Sequence, residues 1–139
     1  MKVREAMADT ISSANPQDTI ERVAQLMKQE DTGFIPVVEG GTLIGAITDR
    51  DIVIRCLASG HQDPLHERVD HVMTREVRAI SPDDDLETAA TTMAEVEVRR
   101  LPVVENGKLV GVLSHGNLVQ AQGGSGTVHK ATAGVTKGA

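Results

Sequence analysis

Pro36-Val37-Val38-Glu39-Gly40-Gly41-Thr42-Leu43-Ile44-Gly45 is answered 66 residues later by Pro102-Val103-Val104-Glu105-Asn106-Gly107-Lys108-Leu109-Val110-Gly111. Each stretch is two short apolar runs parted by a turn. Asn106-Gly107 is a strong dipeptide for a two-residue hairpin and Gly40-Gly41 a similar one, because both central residues of that turn need positive φ. The predicted strands are Phe34 to Val38 with Leu43 to Ile47, and Leu101 to Val104 with Leu109 to Leu113. The same shift holds outward without a gap: Met7 meets Met73, Pro16 meets Pro82, and Asp18 meets Asp84. Proline and glycine have restricted backbone uses, so chance would not keep them at matching offsets. Two copies are too few for a solenoid, and two pseudo-symmetric halves of one disc-like domain fit better.

Each copy carries the same further signals. Asp18 reads as a helix N-cap with Glu21 in the capping-box position, and Asp84 with Glu87 repeats it. Ile20, Val23, Ala24 and Met27 then mark one helical face, matched by Leu86, Ala89, Ala90 and Met93. A short first strand is expected near Ile11 to Ala14 and near Val77 to Ile80. A second helix follows the first hairpin, with Ile52, Val53, Cys56 and Leu57 on its buried side. The unit is β-α-β-β-α, and the fold class is α/β (α+β). A single unit of about sixty residues buries too little surface to be comfortable alone, which is a physical reason for the tandem. The expected division is 1–66, 67–122 and a flexible tail, 123–139, where apolar periodicity stops.

Composition narrows the function. Phe34 is the only aromatic residue among 139, so no platform exists for stacking the bases of a single strand. The formal net charge is −6, and no Lys/Arg cluster is visible, which argues against nucleic acid as a partner. No apolar run reaches the roughly 18 residues of a membrane span. The N-terminus lacks the apolar segment of a signal peptide. Cys56 stands alone, excluding an internal disulfide and pointing to a cytoplasmic setting. It reads as a small buried filler, not a redox sensor. His61, His66 and His71 recur every five residues, which does not put them on one helical face, so no metal site is expected. No nucleophile elbow or P-loop orders the Ser, His and Asp residues, so no enzyme signature is present.

The chemistry concentrates in Gly45-Ala46-Ile47-Thr48-Asp49-Arg50-Asp51 and its match, Gly111-Val112-Leu113-Ser114-His115-Gly116-Asn117. In both, a strand ends in a hydroxyl residue and turns directly into a helix. A hydroxyl beside free N–H groups at a helix start can bind an anion, and a carboxylate or amide three residues on can accept from a ribose diol. The other reading is a plain capping box that needs no ligand. What favours a ligand is recurrence in both copies after a glycine-containing strand.

These motifs, in this order and twice, resemble the CBS (cystathionine β-synthase) domain family, over roughly residues 3 to 122. Val3-Arg4-Glu5-Ala6-Met7 and Val69-Asp70-His71-Val72-Met73 resemble the lead-in segment of that family. Thr48-Asp49-Arg50-Asp51-Ile52-Val53 and Val98-Arg99-Arg100-Leu101-Pro102-Val103-Val104 resemble the small stand-alone bacterial CBS-pair proteins of the hypoxic response type. The resemblance implies a regulatory, non-catalytic protein with no obligatory cofactor. It binds adenosyl ligands (AMP, ADP, ATP, S-adenosylmethionine or NAD-like molecules) in clefts between paired units. It implies Thr48 and Asp51, with Arg50 beside them, on phosphate and ribose in one cleft, and Ser114 and Asn117 in the other. Ile11, Ile35 and Pro36, or Val77, Leu101 and Pro102, would sandwich the adenine. Arg99 and Arg100 stand where such proteins often place phosphate-facing basic residues, although ion pairs with Glu95 or Glu97 are an equal alternative. Gly33 and Phe34 stand there in the first copy, Asn117 replaces the usual acid, and His115-Gly116 replaces Asp49-Arg50. The two sites are therefore expected to be unequal. A disc-like homodimer and a protein target, not identifiable from sequence, complete the expectation; a ligand-free, stress-related scaffold is the alternative.

Overall fold

The computed structural model describes residues 1–122; the tail 123–139 lies outside the described residues. The chain forms α1 (Val3–Ala6), α2 (Ile20–Glu30), β1 (Phe34–Glu39), β2 (Thr42–Thr48), α3 (Asp49–Asp51), α4 (Leu86–Val96), β3 (Arg100–Glu105), β4 (Lys108–Ser114) and α5 (His115–Gln122). Both hairpins are present, each strand within a residue or two of its expected ends. Gly40 and Gly41 lie at φ 61 and 83, and Asn106 and Gly107 at 54 and 80, the left-handed pair that a two-residue hairpin requires. Each ladder slips at the same place, between Val37 and Val38 and between Val103 and Val104. The duplication therefore extends to the irregularities.

The described residues divide into two compact units, Ser12–Val77 and Met1–Ile11 together with residues 78–122. In the unit of the first hairpin, Ile20, Val23, Leu26 and Met27 of α2 pack with Ile35, Val37 and Ile47 of the hairpin and with Cys56, Val69, Val72 and Met73. Ala24 is exposed, and Leu26 takes the buried place. In the other unit, Leu86, Ala89, Ala90 and Met93 of α4 pack with Leu101, Val103 and Leu113 of its hairpin, with Leu118 of α5, and with Val3 and Ile80.

The lead-in segments are what distinguish these units from the sequence repeats 1–66 and 67–122. Val3 N–H donates to the Asp84 carbonyl at 2.9 Å and Arg4 N–H to that of Pro82 at 2.9 Å, while Ala8 and Val112 exchange two bonds. Sixty-six residues on, Val69 N–H donates to Asp18 at 2.8 Å and Asp70 N–H to Pro16 at 3.1 Å, while Thr74 and Ala46 exchange two bonds. Each lead-in thus makes, in the other repeat, the same bonds as its twin. Val3 and Val69 are both fully buried, each contributing about 1.5–3 kcal/mol of apolar burial.

Three local expectations are corrected. The first strand of each copy shrinks to one bridging residue, Ala14 beside Val37 and Ile80 beside Val103. Pro16 and Pro82 follow two residues later and turn the chain out of the ladder. Asp18 and Asp84 are not N-caps, because their carboxylates accept from Asn15 N–H at 2.9 Å and Ser81 N–H at 3.0 Å, closing the turn at each proline. The caps are one residue later: Thr19 accepts from Arg22 N–H, and Asp85 makes no side-chain cap. Finally, the segment after α3 continues as a π-helix, Ile52–Leu57, with Ala58 N–H bonded to the Val53 carbonyl at 2.8 Å. The wider π turn breaks the four-residue stripe, so Cys56 is buried and Ile52 half-buried, whereas Val53 and Leu57 are exposed.

Candidate functional site

β2 passes into α3 through Thr48. Its Oγ1 accepts from Asp51 N–H at 3.1 Å, and Asp51 Oδ2 accepts from Thr48 N–H at 3.0 Å. β4 passes into α5 through Ser114 in the same way. Ser114 Oγ accepts from Asn117 N–H at 3.0 Å, and Asn117 Oδ1 accepts from Ser114 N–H at 3.0 Å. Both are complete capping boxes, so the ligand-free role of these four residues is realised in both copies. The box needs only an acceptor at its third position, which is why an amide serves as well as a carboxylate. Each hydroxyl accepts in its box and keeps its own proton to donate.

The residues flanking the two boxes differ in charge. Asp49 N–H donates to the Gly33 carbonyl at 3.0 Å, and its matching residue, His115, donates to Arg99 at 2.7 Å. Asp49 Oδ1 accepts from Arg50 N–H at 2.9 Å. A Cβ on Gly33 would meet the Asp49 carboxylate at 2.6–2.8 Å, so this carboxylate can sit there only over a glycine. Asp51 also faces Arg55, whose Nε lies 3.8 Å from Oδ1 and whose Nη1 donates to the Met73 carbonyl at 3.2 Å. The first turn is thus built from Asp49, Asp51, Arg50 and Arg55, and the second is flanked by Arg99, Arg100 and His115.

The hairpin registers gather some expected residues and separate others. Phe34 pairs with Thr48 and Pro36 with Ala46; Arg100 pairs with Ser114 and Pro102 with Val112. Ile35 and Leu101 alternate to the other face and lie in the cores of their own units. Ile11 belongs to the unit of the second hairpin and Val77 to that of the first, both half-buried. Arg50 and Arg99 are exposed, and Arg100 is half-buried. Glu95 is held by Arg78 at 3.4 Å. Sequence reasoning missed Asp49 against Gly33, and it missed Arg55, although Arg55 stands four residues after Asp51 on the same helical side.

His61, His66 and His71 each meet a carboxylate: His61 and His71 meet Glu67 at 2.8 and 2.7 Å, and His66 meets Asp63 at 2.9 Å. Among the described residues no group of three or more His, Cys, Asp or Glu side chains could hold a metal ion. Burial pushes the Cys56 thiol up, and the Glu67 carboxylate adds to it. No helix among the described residues is long and apolar enough to cross a membrane.

Known proteins with the same arrangement place these features in a family. The family model of the CBS domain matches residues 3–57 and again 69–124. The CBS domain-containing protein YhcV of Bacillus subtilis is 41% identical over 122 residues, spanning 86% of this chain and 84% of that protein. The crystal structure of CBSX2 in complex with AMP is 26% identical, covers 87% of this chain and 95% of its own, and superimposes with a TM-score of 0.76. That of Hypoxic Response Protein I, which holds two coordinated zinc ions, is 27% identical, covers 87% and 98%, and has a TM-score of 0.78. With two family matches over most of its length and a hairpin, helix and capped turn in each, this chain is a tandem CBS-domain protein.

Proposed function

We propose that this protein is a cytoplasmic, non-catalytic sensor that binds an adenosyl ligand, such as AMP, ADP, ATP or S-adenosylmethionine, at its hairpin-to-helix turns. The observation that carries the reading is the repetition of one hydroxyl-based turn, Thr48 to Asp51 and Ser114 to Asn117, in a family with an AMP-bound member. Thr48, Arg50 and Asp51 contact phosphate and ribose in one site; Ser114, Asn117, Arg99 and Arg100 do so in the other. Pro36 and Pro102 border the base, with Ile11, Ile35, Val77 and Leu101 behind or beside them. The unequal charges around the two turns make the sites unequal.

Binding signals by favouring one conformation, which requires a protein target that distinguishes the two states. The chain works as a homodimer, paired through the apolar residues left exposed after each hairpin: Val53 at 52%, Ile54 at 49%, Leu57 at 55% and Val119 at 40%. A thermal-shift series with AMP, ADP, ATP, NAD and S-adenosylmethionine tests the sensor. A ligand at 100 times its Kd stabilises by about 2.7 kcal/mol, a clear rise in Tm. No rise with any of the five at millimolar concentration would refute it. One observation favours a second reading, a ligand-free interaction scaffold: both capping boxes are closed by their own residues.

A further inference from the structure

Away from the two turns, titratable side chains converge in the segment from His61 to His71. The Glu67 carboxylate bridges two imidazoles, with Oε2 2.8 Å from His61 Nδ1 and Oε1 2.7 Å from His71 Nδ1. Glu67 also holds the segment in place through its backbone, since its carbonyl accepts Ile20 N–H at 2.9 Å, at the first turn of α2. Just beyond it come the Val69 and Asp70 bonds to Asp18 and Pro16, then the exchange between Thr74 and Ala46. The carbonyls of Val72 and Met73 accept from Arg55 at 3.5 and 3.2 Å, and Arg55 faces Asp51. Within this one unit, contacts run unbroken from the histidines to the candidate ligand turn.

We propose that His61, Glu67 and His71 form a proton-operated latch that sets how firmly residues 61–74 are held and, through Arg55, tunes ligand binding at Thr48 to Asp51. The tuning rests on the functional reading above; the latch does not. Histidine is the residue type that changes charge between about pH 5 and 8. An imidazolium adds Coulombic attraction to the hydrogen bond that an imidazole makes with an ionised carboxylate, and here two converge on one carboxylate. The His71, His61 and Arg68 N–H contacts hold the Glu67 carboxyl at about 2, so its own stabilising contribution is lost only as pH falls from about 4.5 toward 2. Glu67 therefore stays ionised, and available to both imidazoles, throughout the range from about pH 5 to 8.

The surrounding charges act in the same direction. Asp70 lies 3.7 Å from His71 Nε2 and is itself held by Arg68 at 2.7 Å. Asp63, with Glu21 of α2 behind it, raises His66, whose contribution is present below its ordinary value and lost as pH rises through the raised one. The Cys56 thiol also faces Glu67. Acid therefore fastens the segment and alkali loosens it.

The test is amide hydrogen exchange on the full chain in the presence of a chelator, corrected for intrinsic rates, from about pH 5.5 to 8. Protection of the Ile20, Val69 and Asp70 amides is expected to fall about fivefold relative to Ile80 and Val104, which are bonded in the other unit. A His61→Asn, His71→Asn double variant and, separately, Glu67→Gln are expected to remove that difference. Parallel changes in both sets of amides, or persistence of the difference in both variants, would overturn the latch. Adenosine, which has no group titrating in this range, serves as the ligand probe. Its Kd is expected to rise about threefold across the range in the native chain and to stay level in the double variant. A pH-independent Kd in the native chain overturns the tuning alone. Failure of adenosine to bind overturns the tuning alone; the thermal-shift series decides the functional reading, and the exchange data decide the latch.

Discussion

Gly45→Ala is a substitution whose sign depends on where the second lead-in segment packs. In a strand interior, alanine is ordinarily better than glycine by about 0.5–1 kcal/mol, because glycine loses more backbone freedom on folding. Here a Cβ at position 45 would lie 2.7 Å from the Thr74 carbonyl oxygen and 2.8 Å from Met73 Sδ. The thioether can rotate away; the Thr74 carbonyl cannot, since its oxygen accepts Ala46 N–H at 2.9 Å. Overpacking of this kind costs about 1–3 kcal/mol, leaving a net loss of about 0.5–2 kcal/mol once the entropy gain is subtracted. For a chain of this size that is a fall in Tm of about 2–8 °C, measured by circular dichroism during heating. Gly111→Ala should behave alike, because its Cβ would meet Met7 Sδ at 2.6 Å and the Ala8 carbonyl at 2.8 Å. Gly40→Asn is the control: a Cβ added there would meet nothing within 4 Å, and Asn106 occupies the matching turn position at φ 54. A Tm at or above that of the native chain for either alanine variant would refute the placement of the lead-in segments.

Leu118→Ala should cost about 2–5 kcal/mol, since Leu118 is fully buried in its core; urea denaturation would measure it. Leu57→Lys, at an exposed position, should leave the fold intact and, for the homodimer proposed above, shift the sedimentation mass from dimer to monomer. Thr48→Ala removes the acceptor of one capping box and should lower stability by about 1 kcal/mol, whereas Asp51→Asn should be close to neutral because Asn117 already fills that role with an amide; thermal denaturation distinguishes them.

The hairpins were legible because their turns demand particular residues at two adjacent positions, and Gly40-Gly41 and Asn106-Gly107 meet that demand. The helices were legible from their apolar stripes, but their starts were not. An aspartate two residues past a proline can cap a helix or close the proline turn, and Asp18 and Asp84 do the second. The π turn at Ile52–Leu57 was hidden because its residues fit an ordinary helical stripe equally well. The lead-in segments pose the deepest ambiguity. A perfect repeat looks the same whether Val3 packs on its own copy or on the other, since Val69 mirrors it either way. At the candidate turns, the sequence left capping and ligand binding open, and the hydrogen bonds of Thr48, Asp51, Ser114 and Asn117 show that capping is realised. The Gly33–Asp49 contact needs two residues sixteen apart to be seen together, which no local pattern supplies.

The most direct measurement is an amide-resolved NMR titration of the full chain with AMP. Progressive, saturable shifts are expected at Thr48, Asp51, Ser114 and Asn117, with midpoints that differ between the first pair and the second. Shifts absent from all four amides at millimolar AMP, or confined to residues away from both turns, would contradict the assignment of these turns as the ligand sites.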